Sequence, residues 1–524
     1  MITFRKLAIF ITVSLCLLLI YASLFGKYQF EGNAAFWFVL LLAAALVACF
    51  HYLRDLRLNL VLIMTFFVWM GLILRLAVLQ LKGNVDAFVQ YGDLTVPEYN
   101  RATLYICLAC GSSLLGIILA GKSVRTSSDA ERPKESRVYF GFLLILACLQ
   151  ITQFFYLFYL TPLLNQLTTY RPDELLGKVV AYFRPEFFVL SLFAVAMWLI
   201  RPLDTPDGSR WKALTTLERR LLLLILVLYP LVRLLGGNRG FLFEEVLQIG
   251  FAALAVYNFG ELRLRLNLKR VAIIVLAVYL SSIGWFLVEQ IRKEVFYSGA
   301  TLSSLSFGKM VEAAAEEYDF SFFLAAASAR VYLLDPAVLP INENYYTNPE
   351  TFMSFEQSVR RSINRIVPLN SIKPFQVVPE ESELAYYLIY HIGRPETRQS
   401  YSAPGLAYIT FGWWGGLVLM FAVSYLTALA YKYVLRWRNT ALSVIASAVI
   451  MYFYYEWWQT FGFDNLAYKM VWSSLTLAAI LFCFNLFVGK RASASNAKHQ
   501  VRELGVADTP VFSVKGELKG SING

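Results

Sequence analysis

Apolar residues run along this chain in long blocks, without the alternation or 3.6-residue periodicity of a water-soluble fold. A helix needs about 20 mostly apolar residues to cross the hydrocarbon of a bilayer. Twelve segments satisfy this, at 7–26, 34–53, 58–81, 101–121, 138–161, 182–201, 218–236, 240–259, 270–290, 403–432, 439–458 and 467–489. The pattern predicts an all-α, polytopic transmembrane bundle of about 12 spans. The first run has a short basic head, but it is too long for a signal peptide and lacks a small-residue cleavage site, so it reads as a span. Segment 403–432 is long enough to predict a tilted helix.

Polar positions collect in the connections, and their charge sets the orientation. "HYLRDLR", "GKSVRTSSDAERPKESR", "RPLDTPDGSRWKALTTLERR", "ELRLRLNLKR", "YKYVLRWRN" and the tail beginning "GKRASASNAKHQVR" are rich in Lys and Arg. The short loops that alternate with them are poor in both. Basic connections stay on the cytoplasmic side, so both termini are expected to be cytoplasmic, consistent with an even number of spans. The chain then divides into spans one to nine (1–290), a large outer segment (291–402), spans ten to twelve (403–489) and a flexible cytoplasmic tail (490–524).

The outer segment is the only sizeable piece expected outside the membrane. "SFGKMVEAAAEEYDFSFFLAAASARVYLL" has helical periodicity, "DPAVLPINENYYTNP" is rich in Pro, Asn and Tyr, and "FEQSVRRSINRIVP" reads as a basic helix. Its aromatic and apolar content argues against disorder. The expectation is a set of helices lying across the outer mouth of the bundle.

Composition narrows this picture. The chain is 58% hydrophobic and only 16% charged, with as many aromatic residues as charged ones, a balance suited to lipid as solvent. The net charge of +11 sits in short connections, which makes it a topology signal; nucleic acid is not an expected partner. All six cysteines, Cys16, Cys49, Cys107, Cys110, Cys148 and Cys483, fall in apolar runs, so no extracytoplasmic disulfide framework is implied. Cys107 and Cys110 form a CxxC without neighbouring His or acid, and read as small apolar residues of a span.

Candidate chemistry lies at the outer ends of the spans. In "LVRLLGGNRGFLFEEVLQIGF" (231–251), Gly236, Gly237 and Gly240 permit a tight turn, and a helix is expected to begin near Arg239. The free N–H groups of a helix start favour an anion, and a guanidinium fork suits phosphate oxygens. A snorkelling interfacial Arg is the competing reading. Glu244 and Glu245 lie about 8–9 Å deeper. They point ~100° apart, so at least one should meet a polar cavity or a partner such as Arg233 or Arg239. In "YFYYEWWQTFGFDN", Glu456 sits among Tyr452, Tyr454, Tyr455, Trp457 and Trp458, a surface suited to sugar stacking as well as to an interfacial belt. An apolar surround would fit this acid to act as a base. Cations also collect outside, against the positive-inside bias: Arg171, Arg184, Arg292, Lys293, Arg330, Arg360, Arg361, Arg365, Lys373, Arg394 and Arg398. Each alone reads first as a solvated charge, and together they suit a polyanionic headgroup such as pyrophosphate. His391 is the one outward histidine and a further candidate base. The outer segments carry no HExxH, DxD or Cys/His cluster, so no metal is expected.

Three stretches resemble the bacterial oligosaccharide repeat-unit polymerases of the Wzy type, which make O-antigen and enterobacterial common antigen. "LLGGNRGFLFEEVLQIGF" resembles the family's Gly-(Gly/Ser)-x-Arg turn before a span. "RIVPLNSIKPFQ", with the later "SYSAPGLAYITFGWWGGLVL", resembles its aromatic and proline loop and span entry. "YEWWQTFGFDNLAYKMVW" resembles its late acid-bearing turn. The likeness covers most of residues 160–480, and the N-terminal third matches in hydropathy only. Asn238, the bulky "FLFEE" and the long tail depart from the pattern, and the acid pair leaves the roles of Glu244 and Glu245 open.

The resemblance implies an integral-membrane glycosyltransferase of the inner membrane whose site faces the periplasm. Donor and acceptor would be undecaprenyl-pyrophosphate-linked glycans, and a chain-length-determinant protein is an implied partner. Arg239 would stabilise the departing pyrophosphate. Glu456, then Glu245 or His391, would accept the proton of the acceptor hydroxyl. Arg171, Arg292, Arg330, Arg365, Lys373, Arg398, Tyr401 and Tyr455 would bind substrate. The leaving group is already activated, so neither nucleotide nor metal cofactor is required. An O-antigen ligase is the nearest competitor. A lipid-linked-sugar transporter or flippase is a further one, although no repeated halves are visible and the long connection comes late.

Overall fold

The computed structural model describes residues 4–26, 33–82, 96–122, 136–155, 214–235, 250–255, 282–288, 306–320, 333–342, 354–367, 373–375, 402–437, 440–459 and 466–472, with one to three positions at a time elsewhere inside 194–198, 272–290, 323–331 and 462–478. The described residues are about 89% helical, with no strand among them, which places the chain in the all-α class. Five of the helices are long and apolar enough to cross a membrane: Arg5–Phe25, Ala34–Tyr52, Leu58–Leu81, Tyr99–Leu119 and Ser402–Val434.

The first part is built from α1 (Phe4–Phe25), α2 (Asn33–Tyr52), α3 (Leu58–Phe67), a π-helical stretch (Val68–Leu74), α4 (Arg75–Lys82) and α5 (Val96–Leu119). Next come α6 (Ser136–Phe155) and α7 (Thr216–Leu235), which pack on each other. Three shorter helices occupy the expected outer segment: α8 (Phe307–Glu316), α9 (Asp335–Asn342) and α10 (Phe355–Ile366). The last two are α11 (Ser402–Val434) and α12 (Thr440–Trp458). Seven of these helices thus coincide with predicted spans, α3 and α4 sharing an eighth. The spans predicted at 182–201, 240–259 and 467–489 fall largely outside the described residues, and the one at 270–290 is described in part.

The centre of the bundle is α11, which packs on α5, α9 and α12. Glycine makes the α5–α11 approach possible, since a Cβ on Gly116 would lie 2.5 Å from the Phe421 carbonyl oxygen. Lipid offers apolar side chains no gain over contact with each other, so interhelical hydrogen bonds and close packing supply specificity. Ser113 Oγ donates to Met420 O at 3.3 Å, Asn59 Nδ2 donates to Tyr431 Oη at 2.8 Å, and Ser424 shares a 3.1 Å hydroxyl bond with Tyr454. These bonds tie α3, α5, α11 and α12 together.

At one end of α5 the connections that the sequence marks as basic meet. Arg57 pairs with Asp55 at 2.7 Å and donates to Ile118 O, while Lys432 Nζ donates to Ala120 O at 3.3 Å. Both cations therefore sit on the carbonyl end of α5, where the helix dipole favours them. Residues 53–57, 119–122 and 431–437 share this end. Helix α12 starts there too, with Ser443 Oγ donating to Val434 O at 2.9 Å, so its C-terminus and Glu456 lie at the opposite end, about 28 Å away.

The long apolar segment 403–432 does not simply tilt. Its helix of 33 residues would measure about 50 Å, well beyond the hydrocarbon thickness. It breaks at Gly412, where φ is 70° and ψ −168°, a conformation essentially reserved for glycine. The half before the break is buried from Ser402 to Thr410, and only the half after it has a face of exposed apolar residues, among them Trp414, Val418 and Leu426. Nor does the whole outer segment lie across the mouth of the bundle. The proline-rich α9 buries Ala337, Val338 and Ile341 against α5 and α11. Just before it, Leu333 comes close enough to α3–α4 that a Cβ on Gly71 would sit 2.7 Å from the Leu333 Cβ, and Leu333 O accepts from Ser402 Oγ at 3.3 Å.

Candidate functional site

Several sequence-predicted site residues converge where α12 ends. Glu456 is on the last turn of α12 and its carboxylate oxygen lies 2.5 Å from Lys469 Nζ. The turn "QTFGFDN" folds the chain back so that a lysine 13 positions later faces the acid. The pair is partly buried, with side-chain exposures of 12% for Glu456 and 21% for Lys469. Glu456 thus meets a cation.

Arg365 joins this group from the outer segment. Its guanidinium lies 5.7 Å from the ring centre of Tyr468, beside Lys469 in sequence. The next residue, Ile366, accepts from Trp472 Nε1 at 3.2 Å. The C-terminal end of α10 is therefore docked on residues 468–472. Segment 373–375 lies alongside. Asn364 Nδ2 donates to Phe375 O and Asn364 Oδ1 accepts from Phe375 N, both at 3.3 Å, and Arg360 lies 5.5 Å from the Phe375 ring centre. Lys373, two residues before Phe375, is half-buried and belongs to the same neighbourhood. The other end of α10 reaches the break in α11, with the Phe355 and Phe411 rings 5.7 Å apart. Ser354 caps α10 by accepting from Gln357 N at 3.2 Å, an N-cap contribution of about 1 kcal/mol.

Tyr455 is close by but used differently. It is 8% exposed, with its ring 5.3 Å from that of Phe67 and 5.9 Å from that of Phe251. Trp458 stacks on the same Phe67 at 6.0 Å. These rings fix the end of α12 on α3 and so set where Glu456 stands.

Arg239, Glu244, Glu245, His391, Arg171, Arg292, Arg330, Arg398 and Tyr401 lie outside the described residues. Arg233 is on the last turn of α7.

The structure adds residues that sequence reasoning passed over. Lys469 is one; its signal was an acid and a lysine flanking a glycine-containing turn in a helical hairpin. Arg75 is another. It is wholly buried at the junction of the π-helical stretch and α4, about 12 Å beyond Phe67 along the helix axis. Single π-turns inserted in helices are frequent at functional sites, and this one sets the direction of a buried arginine. Arg361, one of the cations the sequence places in the outer segment, is 7% exposed, and its Nε and Nη1 are buried without a hydrogen-bond partner. Each buried donor left unmet costs about 1–3 kcal/mol, and more when the group is charged. The CxxC cysteines, Cys107 and Cys110, are buried free thiols of α5. Among the described residues no group of three or more His, Cys, Asp and Glu is arranged to hold a metal ion.

Chemically, this end of the bundle offers an ion-paired carboxylate, a cation over an aromatic ring and indole donors, with cationic side chains carried in by an outer segment. Such a set can orient an anionic, ring-bearing molecule at the membrane surface. No protein-family model, no curated protein and no solved structure matches the chain.

Proposed function

We propose that this chain polymerises undecaprenyl-pyrophosphate-linked oligosaccharide repeat units on the periplasmic face of a bacterial inner membrane. In this reading it has twelve spans and both termini in the cytoplasm. The observation that carries the proposal is the convergence at the end of α12, where Glu456 and Lys469 meet Arg365, Asn364 and the 373–375 segment. Residues remote in sequence, drawn from the two late stretches that resemble the polymerase family, lie together at one end of the bundle. The orientation is supported by the grouping of three basic connections at the opposite end of α5.

The transfer is a displacement at the anomeric carbon of the donor glycan. The bond from that carbon to the pyrophosphate oxygen breaks, a bond to the acceptor sugar hydroxyl oxygen forms, and the hydroxyl proton passes to a base. Undecaprenyl pyrophosphate leaves with the bonding electron pair. Arg239, where the sequence leads us to expect a helix start, stabilises the negative charge that grows on the leaving group. Glu456 is the first choice of base, released from Lys469 when substrate binds, and Glu245 and His391 are the others. Arg171, Arg292, Arg330, Arg365, Lys373 and Arg398 supply cationic contacts to the two pyrophosphates, with Tyr401 beside them and Tyr455 holding Glu456 in place. A chain-length-determinant protein is the expected partner.

The test is the length distribution of surface glycan after deletion of the gene. Single repeat units attached to lipid A support the polymerase. Loss of attached glycan with accumulation of lipid-linked polymer would instead identify a ligase, and an unchanged distribution would overturn both. Complementation with Arg239→Ala is expected to give protein that inserts and folds but extends no chains. Normal chain length from that variant would remove Arg239 from the mechanism.

A further inference from the structure

Helix α10 exposes an apolar stripe and buries part of its polar surface. Phe355, Val359 and Ile363 follow one another at intervals of four residues and are 58%, 39% and 38% exposed. The side turned into the protein carries Ser358, Arg361 and Asn364, which are 1%, 7% and 8% exposed. In a chain with membrane-spanning helices, an outward apolar stripe beside a cationic face is the signature of a helix at the lipid interface. Glu356, Gln357 and Arg360 are exposed beside that stripe, whereas Ser358, Arg361 and Asn364 are covered by protein, and polar groups buried that way need partners.

Asn364 has its partner in the Phe375 backbone, and Arg365 lies over Tyr468. Arg361 differs. Its Nε and Nη1 are buried with no acceptor, and Ser358 Oγ, one turn away on the same side, is also buried with no partner. Two carboxylates of this region are engaged with other cations, Glu356 with Arg360 on the outward side and Glu456 with Lys469. Arginine keeps its charge in protein interiors, so the interior at this point carries a cation with two unmet donors and a hydroxyl beside it.

That donor set has a definite complement. A guanidinium presents parallel N–H pairs along its Nε/Nη2 and Nη1/Nη2 edges, each containing one of the two unmet donors and each matched to two oxygens of one oxyanion. The Ser358 hydroxyl, with its Cβ roughly 5–6 Å from that of Arg361 on a helix face, adds a donor directed at a third oxygen. A carboxylate has two oxygens, whereas a phosphate group has enough for all three donors. We propose that Arg361 and Ser358 form a binding site for a phosphate-type oxyanion on the inward side of α10. The outward stripe of Phe355, Val359 and Ile363 holds the helix at the level of lipid headgroups, where such a group is supplied by a lipid or by free phosphate. The site is distinct from Arg239 and does not rest on the polymerase reading.

The test uses the full chain, purified and delipidated in a neutral detergent, and follows thermal unfolding. Inorganic phosphate is titrated against chloride at matched ionic strength. Separately, phosphatidylglycerol is titrated against phosphatidylcholine in mixed micelles. Saturable stabilisation by inorganic phosphate identifies a site open to the free anion, and stabilisation by phosphatidylglycerol alone identifies a lipid headgroup. In either case Arg361→Gln is expected to raise the apparent Kd by about tenfold or more, the effect of losing one charge-assisted hydrogen bond. Arg361→Lys, which keeps the charge and loses the fork, falls between Arg361→Gln and the parent. Ser358→Ala weakens binding by less and carries the test if Arg361→Gln does not fold. The proposal is overturned if neither probe stabilises the parent protein, or if the variants respond as the parent does. Glycan length reports on Arg239 and leaves this readout separate.

Discussion

At the scale of single residues, the pairing of Glu456 with Lys469 is the feature with the most direct consequence. With Glu456 12% exposed, removing the lysine leaves a poorly solvated carboxylate without its counter-ion. Lys469→Ala is therefore expected to destabilise the protein by about 1–3 kcal/mol, less than a fully buried pair because Lys469 keeps some access to solvent. The double variant Glu456→Gln/Lys469→Met should recover part of that loss, and a double-mutant cycle on thermal unfolding in detergent measures the coupling. Strict additivity of the two single variants would show that the pair does not hold the hairpin. The sequence made Glu456 legible through its aromatic neighbours, but gave no reason to choose Lys469 over other cations. A turn of unknown geometry separates the two, and only the fold-back brings them within reach.

At the scale of elements, the decisive case is α11. Hydropathy identified the segment and its excess length, and excess length alone permits tilt, kink or break. The structure breaks it at Gly412, burying one half and leaving the other with an outward apolar face. The left-handed backbone there predicts that Gly412→Ala costs about 1–3 kcal/mol. The same substitution at Gly111 of α5, where an added Cβ meets nothing within 4 Å, should be near neutral or stabilising. Comparing the two thermal midpoints checks this. Equal midpoints for both variants would mean that the break is not needed. The proline in α9 has the same lesson in reverse: Pro340 lies inside a short helix, in a stretch that the sequence marked only as rich in Pro, Asn and Tyr. Packing of Ala337, Val338 and Ile341 against α5 and α11 outweighs the local penalty.

At the scale of the whole molecule, the claim to be tested is which side of the membrane each end of the bundle faces. The end bearing Arg57 and Lys432 is expected inside, and the end bearing α10 outside. Glu356 is well placed to report this, since its side chain is 71% exposed. In a background freed of native cysteines, Glu356→Cys should react in intact spheroplasts with a thiol reagent that cannot cross the membrane. Reaction only after the membrane is opened would invert the orientation and, with it, the periplasmic site of the polymerase proposal.

Solvent physics made some of this protein readable from its sequence. Burying backbone in hydrocarbon demands helices, and long apolar blocks state where they are, so the all-α class and the existence of α1 to α5, α11 and α12 follow from composition and run length. The presence of a helix at α10, read as basic, was likewise legible. What the tertiary structure decided is which side of each helix faces protein. Run length and charge bias contain no contact information. They cannot tell that Arg57 and Lys432 share one helix end, that α9 packs inside the bundle, or that Ser358, Arg361 and Asn364 of α10 turn inward while Phe355, Val359 and Ile363 face out. Those choices depend on close packing between segments hundreds of residues apart, and the Gly116 approach and the Asn59–Tyr431 hydrogen bond are where that packing is set.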